Sequence, residues 1–441
     1  MATIPQVARV LQTVLGPVAE RAARATGFVR RASKLTGARF VQTLVFGWLA
    51  QPQARLSQLA QTAATLGVAI TPQGLDERFG AASADCLREV LEAAVQVVLA
   101  ADPAAVPILH RFTQVAVQDC TTIALPAALA AAWPGCGGGT PAAGAAALKL
   151  GVRLDLACGQ LQGPYVEAGR ADDRAALAAS PPLPPGALRL GDLGFFRLDE
   201  LAAQDARGVY WLSRWQPGTA LFTPDGQRHE LLPLLAEAAT PTVDLAVRLG
   251  VRQRVPARLL AVRVPQEVAD QRRRRLRSAA RDKGRAVSAG RLALCAWTVF
   301  LTNAPPAQLA LREALVLARA RWQIELLFKL WKGHLRVDEW RSGNPWRILT
   351  EVYAKLLAAI VQHWLVLAGC WHHPDRSLVK AAQAIQAHAL HLAAALDAHP
   401  RLCQALRVVM RCLAAAGRLN RRKSAPSTVQ LLLALEAEAL A

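Results

Sequence analysis

The chain has 441 residues, 53% of them hydrophobic, and carries 52 lysines and arginines against 32 acidic residues, a formal net charge of +20. That length suits two to four domains, and the apolar excess, mainly alanine, favours helices. Its eight cysteines include no C-x-x-C pair, which sets aside a zinc ribbon and reads as reduced, mostly buried thiols. So cationic a protein attracts polyphosphate backbones through counterion release, and nucleic acid is the expected partner. A merely basic, soluble surface is the plain alternative.

Residues 1–104 read as a helical N-terminal DNA-binding region. The first 24 residues lack the segment order of a signal peptide and pattern as an amphipathic helix. Further along, a helix breaks at Gly67 and a second begins with Thr71 as cap and Pro72 at its first position. This spacing suits a helix-turn-helix or an ordinary helical hairpin.

The pattern over 105–370 changes period. Residues 112–119 form a β-prone run ending in Asp119, and the Gly/Pro/Ala-rich stretch 133–144 must be a loop. Leu148, Leu150, Val152, Leu154 and Leu156 alternate with Lys149, Gly151, Arg153 and Asp155, which predicts a half-buried strand. A turn at Gly159 and a strand over 160–167 complete a hairpin. Asp172 and Asp173 precede a short Ala/Leu helix and read as its caps. A strand carrying Asp192, a helix over 196–206 and a strand over 208–215 then give a mixed α/β sheet.

Residues 210–300 read as a β-rich insertion. It ends in a basic run (Arg272, Arg273, Arg274, Arg275, Arg277, Arg281, Lys283, Arg285) and a strand with Trp297. The preference for arginine suits phosphate recognition, a solvated charge run being the alternative. From 307 onward the chain reads as helical, and 371–441 form a helical C-terminal region with a basic tail. The apolar stretch 356–371 is short and contains Gln362 and His363, so a buried helix is expected and no membrane partner.

Within 317–334, Arg321, Glu325 and Lys329 recur every four residues, and Phe328 and Lys332 join them on one helix face. Ile324, Leu327, Leu330 and Trp331 take the opposite, core-facing side. One carboxylate framed by three cations suits a metal ligand beside phosphate contacts. A solvated face of ion pairs, worth about 0.3–0.5 kcal/mol each, is the alternative. No Walker-type glycine loop is present, so no ATP dependence is expected.

This segment resembles the C-terminal signature of the DDE transposases of the IS-four group, Y-x2-R-x3-E-x6-K. Arg321, Glu325 and Lys332 match it, and Ala318 stands at the tyrosine position. Two further stretches resemble the family's aspartate motifs: Asp119-Cys120-Thr121 matches D-[ST]-T except at Cys120, and Asp192-Leu193-Gly194-Phe195 matches D-x-G-[FY]. The resemblance implies a ribonuclease H-like α/β core with a β-rich insertion between helical flanks. It implies that Asp119, Asp192 and Glu325 are catalytic and bind Mg²⁺ or Mn²⁺, with two ions per site. Three hard oxygen ligands agree with that choice of ion.

The implied activity is cut-and-paste transposition in the cytoplasm, on double-stranded DNA with terminal inverted repeats. A homodimer would pair two transposon ends. Arg321, Lys329 and Lys332 would grip DNA, together with Arg272, Arg273, Arg274 and Arg275. Trp297 would stack on a flipped base or else sit in the core. Ala318 keeps one alternative in view, a DNA-binding protein that does not cut; a metal-dependent nuclease that does not join is a second.

Overall fold

The computed structural model describes residues 2–31, 33–137, 144–419 and 426–439. Arg421, Arg422 and Lys423 of the basic tail, and residues 138–143 of the glycine-rich loop, lie outside them. The chain forms two compact units. One comprises Met1–Leu109, Asp119–Pro181 and Trp322–Leu433; the other comprises His110–Gln118, Pro182–Arg321 and Ala434–Ala441.

In the first unit the spine is the helix Pro345–Gly369. Asn344 caps it by accepting hydrogen bonds from the Trp346 and Arg347 N–H groups, and Pro345 opens it where a missing N–H is harmless. The helix is long and apolar enough to cross a membrane, but 89% of its most apolar window is buried within the protein. It is therefore the expected core helix, flanked by Gly37–Ala50 and Ala81–Val95. Gly47 lets Gly37–Ala50 pack closely on the helix Leu56–Thr65, since a Cβ there would stand 2.5 Å from Leu59.

Thr71 and Pro72 do start a helix, and Thr71 accepts from the Gly74 N–H. That helix, Pro72–Asp76, spans only about 7.5 Å, too short to fill a major groove. The longer helix after it, Ala81–Val95, buries Cys86, Leu87, Val90 and Leu91 in the core. Of the two readings, helical packing is the one adopted.

Three strands belong wholly or partly to this unit: β1 (Val115–Leu125), β2 (Ala146–Asp155) and β3 (Leu161–Ala168), with β2 between β3 and β1. β2 and β3 form the expected antiparallel hairpin, with Leu150 opposite Val166. β2 is not half-buried as its alternation predicts, because both faces are covered. Arg153 survives burial by donating to the Gln162 side chain and the Pro181 carbonyl. Asp155 accepts from the Ala157 N–H and the Cys158 thiol, closing the turn that leads to Gly159.

Gly159 has the left-handed φ of +70° that glycine tolerates best. Its carbonyl lies 2.7 Å from His363 Nε2, so the neutral imidazole carries its proton there and donates. Burial pushes the His363 pKa down to about 4, against the opposing effect of this hydrogen bond. A depressed histidine stabilises the fold fully above its unfolded value near 6.5, and that stability is lost as pH falls toward 4. The loss is expected to approach roughly 3 kcal/mol. Urea midpoints should therefore fall more steeply with acid in the wild type than in His363→Gln; equal slopes would sink this assignment.

In the second unit the leading residues of β1 pair in parallel with β4 (Leu188–Gly191), and β4 pairs in parallel with β5 (Tyr210–Arg214). The insertion supplies β6 (Leu221–Phe222), β7 (Arg228–His229), β8 (Thr242–Leu249) and β9 (Val255–Arg263). β10 (Trp297–Thr302) then runs antiparallel to both β5 and β9. Trp211, Leu221, Leu249, Leu259 and Leu301 form the buried centre of this unit. Arg258 is buried and paired with Asp244, and it donates to the Ala304 and Leu309 carbonyls, tying β9 to the segment that enters the helix Leu311–Ala320.

All eight cysteines are unpaired, as expected, but only Cys86, Cys370 and Cys403 are buried, fewer than the composition suggested.

Candidate catalytic carboxylates and DNA-facing cations

Asp119 is half-buried within β1 and not at its end, because the strand continues to Leu125. Its Oδ1 accepts from the Cys120 N–H at 2.8 Å. Beside it, Lys149 pairs with Asp173 at 2.8 Å and donates to the Ala171 carbonyl. Cys120 points its thiol at the Asp173 carbonyl. Burial pushes the Cys120 thiol up to about 12, reinforced by the charges of Asp173 and Asp119. It therefore stays a neutral thiol and is no nucleophile.

Only one of the two predicted caps behaves as such. Asp172 accepts from the Arg174 and Ala175 N–H groups, but it opens a 3-10 turn, Ala175–Leu177, in place of an α-helix. Asp173 is instead the partner of Lys149.

Glu325 lies half-buried on the helix Trp322–Gly333. Ile324, Leu327, Leu330 and Trp331 are buried, as the pattern predicts. Phe328 is not on the polar face: it is 7% exposed and packs edge-on against Trp331, with ring centroids 5.8 Å apart. Lys329 is exposed, with its ammonium 4.3 Å from the centre of the Trp322 ring. Lys332 donates to the Thr122 carbonyl on β1 at 2.9 Å, which fastens this helix to the strand that bears Asp119.

Arg321 departs from expectation. The single helix predicted over 317–334 is two, Leu311–Ala320 and Trp322–Gly333, with Arg321 at the join. Ala318 lies on the earlier of these helices.

Asp192 directly follows β4 in the second unit, half-buried in extended backbone at the start of the turn Leu193–Phe195. Its carbonyl accepts from the Phe195 N–H at 3.0 Å. Trp297 opens β10 and is half-buried in the wall of a cavity of about 440 Å³, which it shares with Trp215, Arg214 and Arg291. These three were not singled out in the sequence, because folding gathers them around Trp297: Arg214 and Trp215 from the end of β5 and Arg291 from the short helix Ala289–Leu294.

The basic run lies on the helix Gln266–Arg281 as far as Arg281, with Lys283 and Arg285 in the segment just after it. Two of its four leading arginines also make bonds within the unit. Arg272 donates to the Trp297 carbonyl and the Thr298 hydroxyl, both at 3.0 Å. Arg273 holds the Leu292 carbonyl and pairs with Asp270. Arg274 and Arg275 are exposed.

Among the described residues, no three acidic, histidine or cysteine side chains are gathered as a ready metal cage. The donors nevertheless suit Mg²⁺ in kind, since that ion usually takes one or two carboxylates, keeps several waters and completes its shell with substrate phosphate.

A basic mixed α/β protein with one acid within a strand, a second just past a strand end and a third on a cation-rich helix belongs to a class that handles phosphodiesters. Residues 112–361 match the family described as "Transposase DDE domain", and the chain belongs to that family. It is similar to the transposase for insertion sequence element IS231B of Bacillus thuringiensis subsp. berliner, with 25% identity over 365 residues covering 78% of this chain and 75% of the relative. The transposase for IS231F of Bacillus thuringiensis subsp. israelensis is 27% identical over 365 residues, 77% of this chain and 75% of the relative. The transposase for IS1151 of Clostridium perfringens is 23% identical over 369 residues, 78% of this chain and 76% of the relative. The protein is a DDE-type DNA transposase of the IS-four group.

Proposed function

We propose that Asp119, Asp192 and Glu325 are the carboxylates of a divalent-metal site, Mg²⁺ or Mn²⁺, used for cut-and-paste transposition at terminal inverted repeats. The observation that carries this reading is the bond from Lys332 to the Thr122 carbonyl. Asp119 lies three residues before Thr122 and Glu325 seven before Lys332, about 10 Å back from that bond on each element. A strand and helix running the same way would set the two acids side by side. Register supports the third ligand: Val117 is paired with Leu190, and each aspartate follows two residues later, Asp119 within β1 and Asp192 just past the end of β4.

Two ions held there would supply activation of the attacking oxygen and stabilisation of the leaving one. The chain's own part is to bind and orient. The Cys120 N–H fixes the Asp119 carboxylate, while Lys329, Lys332 and Arg321 attract phosphates. Arg274 and Arg275 extend that attraction on the second unit, and Trp297 offers a ring to an unstacked base. The reading also includes a ribonuclease H-like core over 105–370 with an insertion at about 210–300, helical flanks at 1–104 and 371–441, a homodimeric complex of paired ends, and action in the cytoplasm. The order β3-β2-β1 in one unit and β1-β4-β5 in the other, with β4 and β5 parallel to β1, supports that core.

The test is incubation with end-sequence DNA, a target plasmid and Mg²⁺. Wild type should give joined products and Asp119→Asn none, with DNA binding retained. Identical products from both proteins would remove Asp119 from the site, and nicks without joining would make the protein a nuclease.

A further inference from the structure

A second basic feature lies in the first unit, away from the carboxylates. Segments 51–58 and 333–341 enclose an open cavity of about 650 Å³, with Arg55, Ser57, His334, Arg336, Arg341 and Gln386 in its wall. No carboxylate lines it among the described residues. Glu339 stands just outside and joins the two walls, accepting from Gln53 at 2.9 Å and pairing with Arg336 at 2.8 Å. Arg336 is thereby neutralised, whereas Arg55 and Arg341 are exposed and make no ion pair among the described residues. The loop backbone is also built for a purpose. Arg336 holds a left-handed φ of +50°, uncommon for arginine, and buried Lys355 grips the Arg336 and Glu339 carbonyls from below.

We infer that this cavity is a docking site for consecutive phosphodiesters of a DNA strand, with Arg55 and Arg341 as its charge contacts. The inference rests on the transposase reading above and adds to it a subsite beyond the signature cations. The space exceeds what one phosphate fills and is open at its mouth, which suits a continuous strand passing through. The cavity begins at Gly333, the last residue of the glutamate helix, about 12 Å along that helix from Glu325. A strand running along that helix, at about 3.4 Å per step, would place the phosphates held here three or four base pairs from the bond that is cut.

The experiment compares wild type, Arg55→Ala/Arg341→Ala and Arg401→Ala, an exposed arginine on another surface. Affinity for end DNA is measured by fluorescence anisotropy across a salt series. The double variant should lower the slope of log affinity against log salt by about two, and restoring lysine at both positions should recover it. Arg401→Ala should leave the slope unchanged. Neutral methylphosphonates placed three to four base pairs from the cut should weaken wild type about tenfold and leave the double variant unaffected. An equal loss for Arg401→Ala would overturn the site in favour of bulk charge, and an unchanged slope for the double variant would overturn it outright. Protection of the cavity arginines by inorganic tripolyphosphate, with no dependence of DNA binding on them, would make it a small-anion site and overturn the DNA assignment. If wild type cuts and joins end DNA while the double variant keeps its slope, only this inference fails. If wild type neither binds nor cuts, the transposase reading fails with it.

Discussion

Glu325→Gln is expected to lower DNA cleavage and strand transfer by about 10³-fold or more while leaving end-DNA affinity equal or slightly higher. The substitution keeps the size of a half-buried side chain on an otherwise core-packed helix, so the fold should persist. What disappears is one anionic oxygen ligand. Metal assistance is worth several kcal/mol of transition-state stabilisation, and about 4 kcal/mol corresponds to roughly 10³ in rate. Binding should not suffer, because the glutamate shares its helix with Lys329 and Lys332, and removing its charge leaves them more attractive to phosphate. Single-turnover cleavage and anisotropy on the same preparation separate the two quantities. A variant that cuts normally would exclude Glu325 as a ligand; one that loses binding and cleavage together would recast it as a residue that positions the helix.

Lys355→Met is the substitution expected to damage stability most. Lys355 and Glu351 pair at 2.7 Å in the middle of the core helix and are 1% and 5% exposed. Burial raises the Glu351 pKa and lowers that of Lys355, each against the pull of its partner. Desolvation of both groups is therefore barely offset by their attraction, and the pair itself adds little net stability. Breaking it is another matter: methionine leaves an uncompensated carboxylate inside the protein and frees the two carbonyls that Lys355 holds. A loss of about 3–5 kcal/mol is expected, read as a fall in the urea midpoint. The companion Glu351→Leu/Lys355→Met should recover most of the loss. If the single variant unfolds at the wild-type midpoint, the pair is not buried as described.

The chain's patterns expose some of this and hide the rest, for identifiable reasons. The core side of the glutamate helix was readable because Ile324, Leu327, Leu330 and Trp331 follow the helical period. Phe328 was misplaced because position on a helical wheel says nothing about a neighbour that covers its edge. The break at Arg321 carries no proline or glycine; tertiary packing sets it, and local propensity does not announce it. Arg272 and Arg273 read as a DNA-facing run, yet their targets are carbonyls of residues 297 and 292, brought near only by folding. The burial of β2 on both faces likewise depends on what covers the strand. The arginine-lined cavity was invisible because its two walls come from opposite ends of the chain.

The way Lys355 grips its loop has a bearing on how such a surface can diversify. The ammonium holds main-chain oxygens of residues 336 and 339, and every amino acid offers that group. Part of the loop's path is thus secured independently of the side chains it displays, with the Glu339 contacts to Gln53 and Arg336 adding to that hold. The exposed positions of 333–341 amount to an exchangeable panel on a fixed frame, restricted by the left-handed backbone at position 336 and by Leu335 and Val337, which are buried in the core. Charge and shape there can drift with the DNA of each element while the helix beneath, and the carboxylate it carries, keep their place.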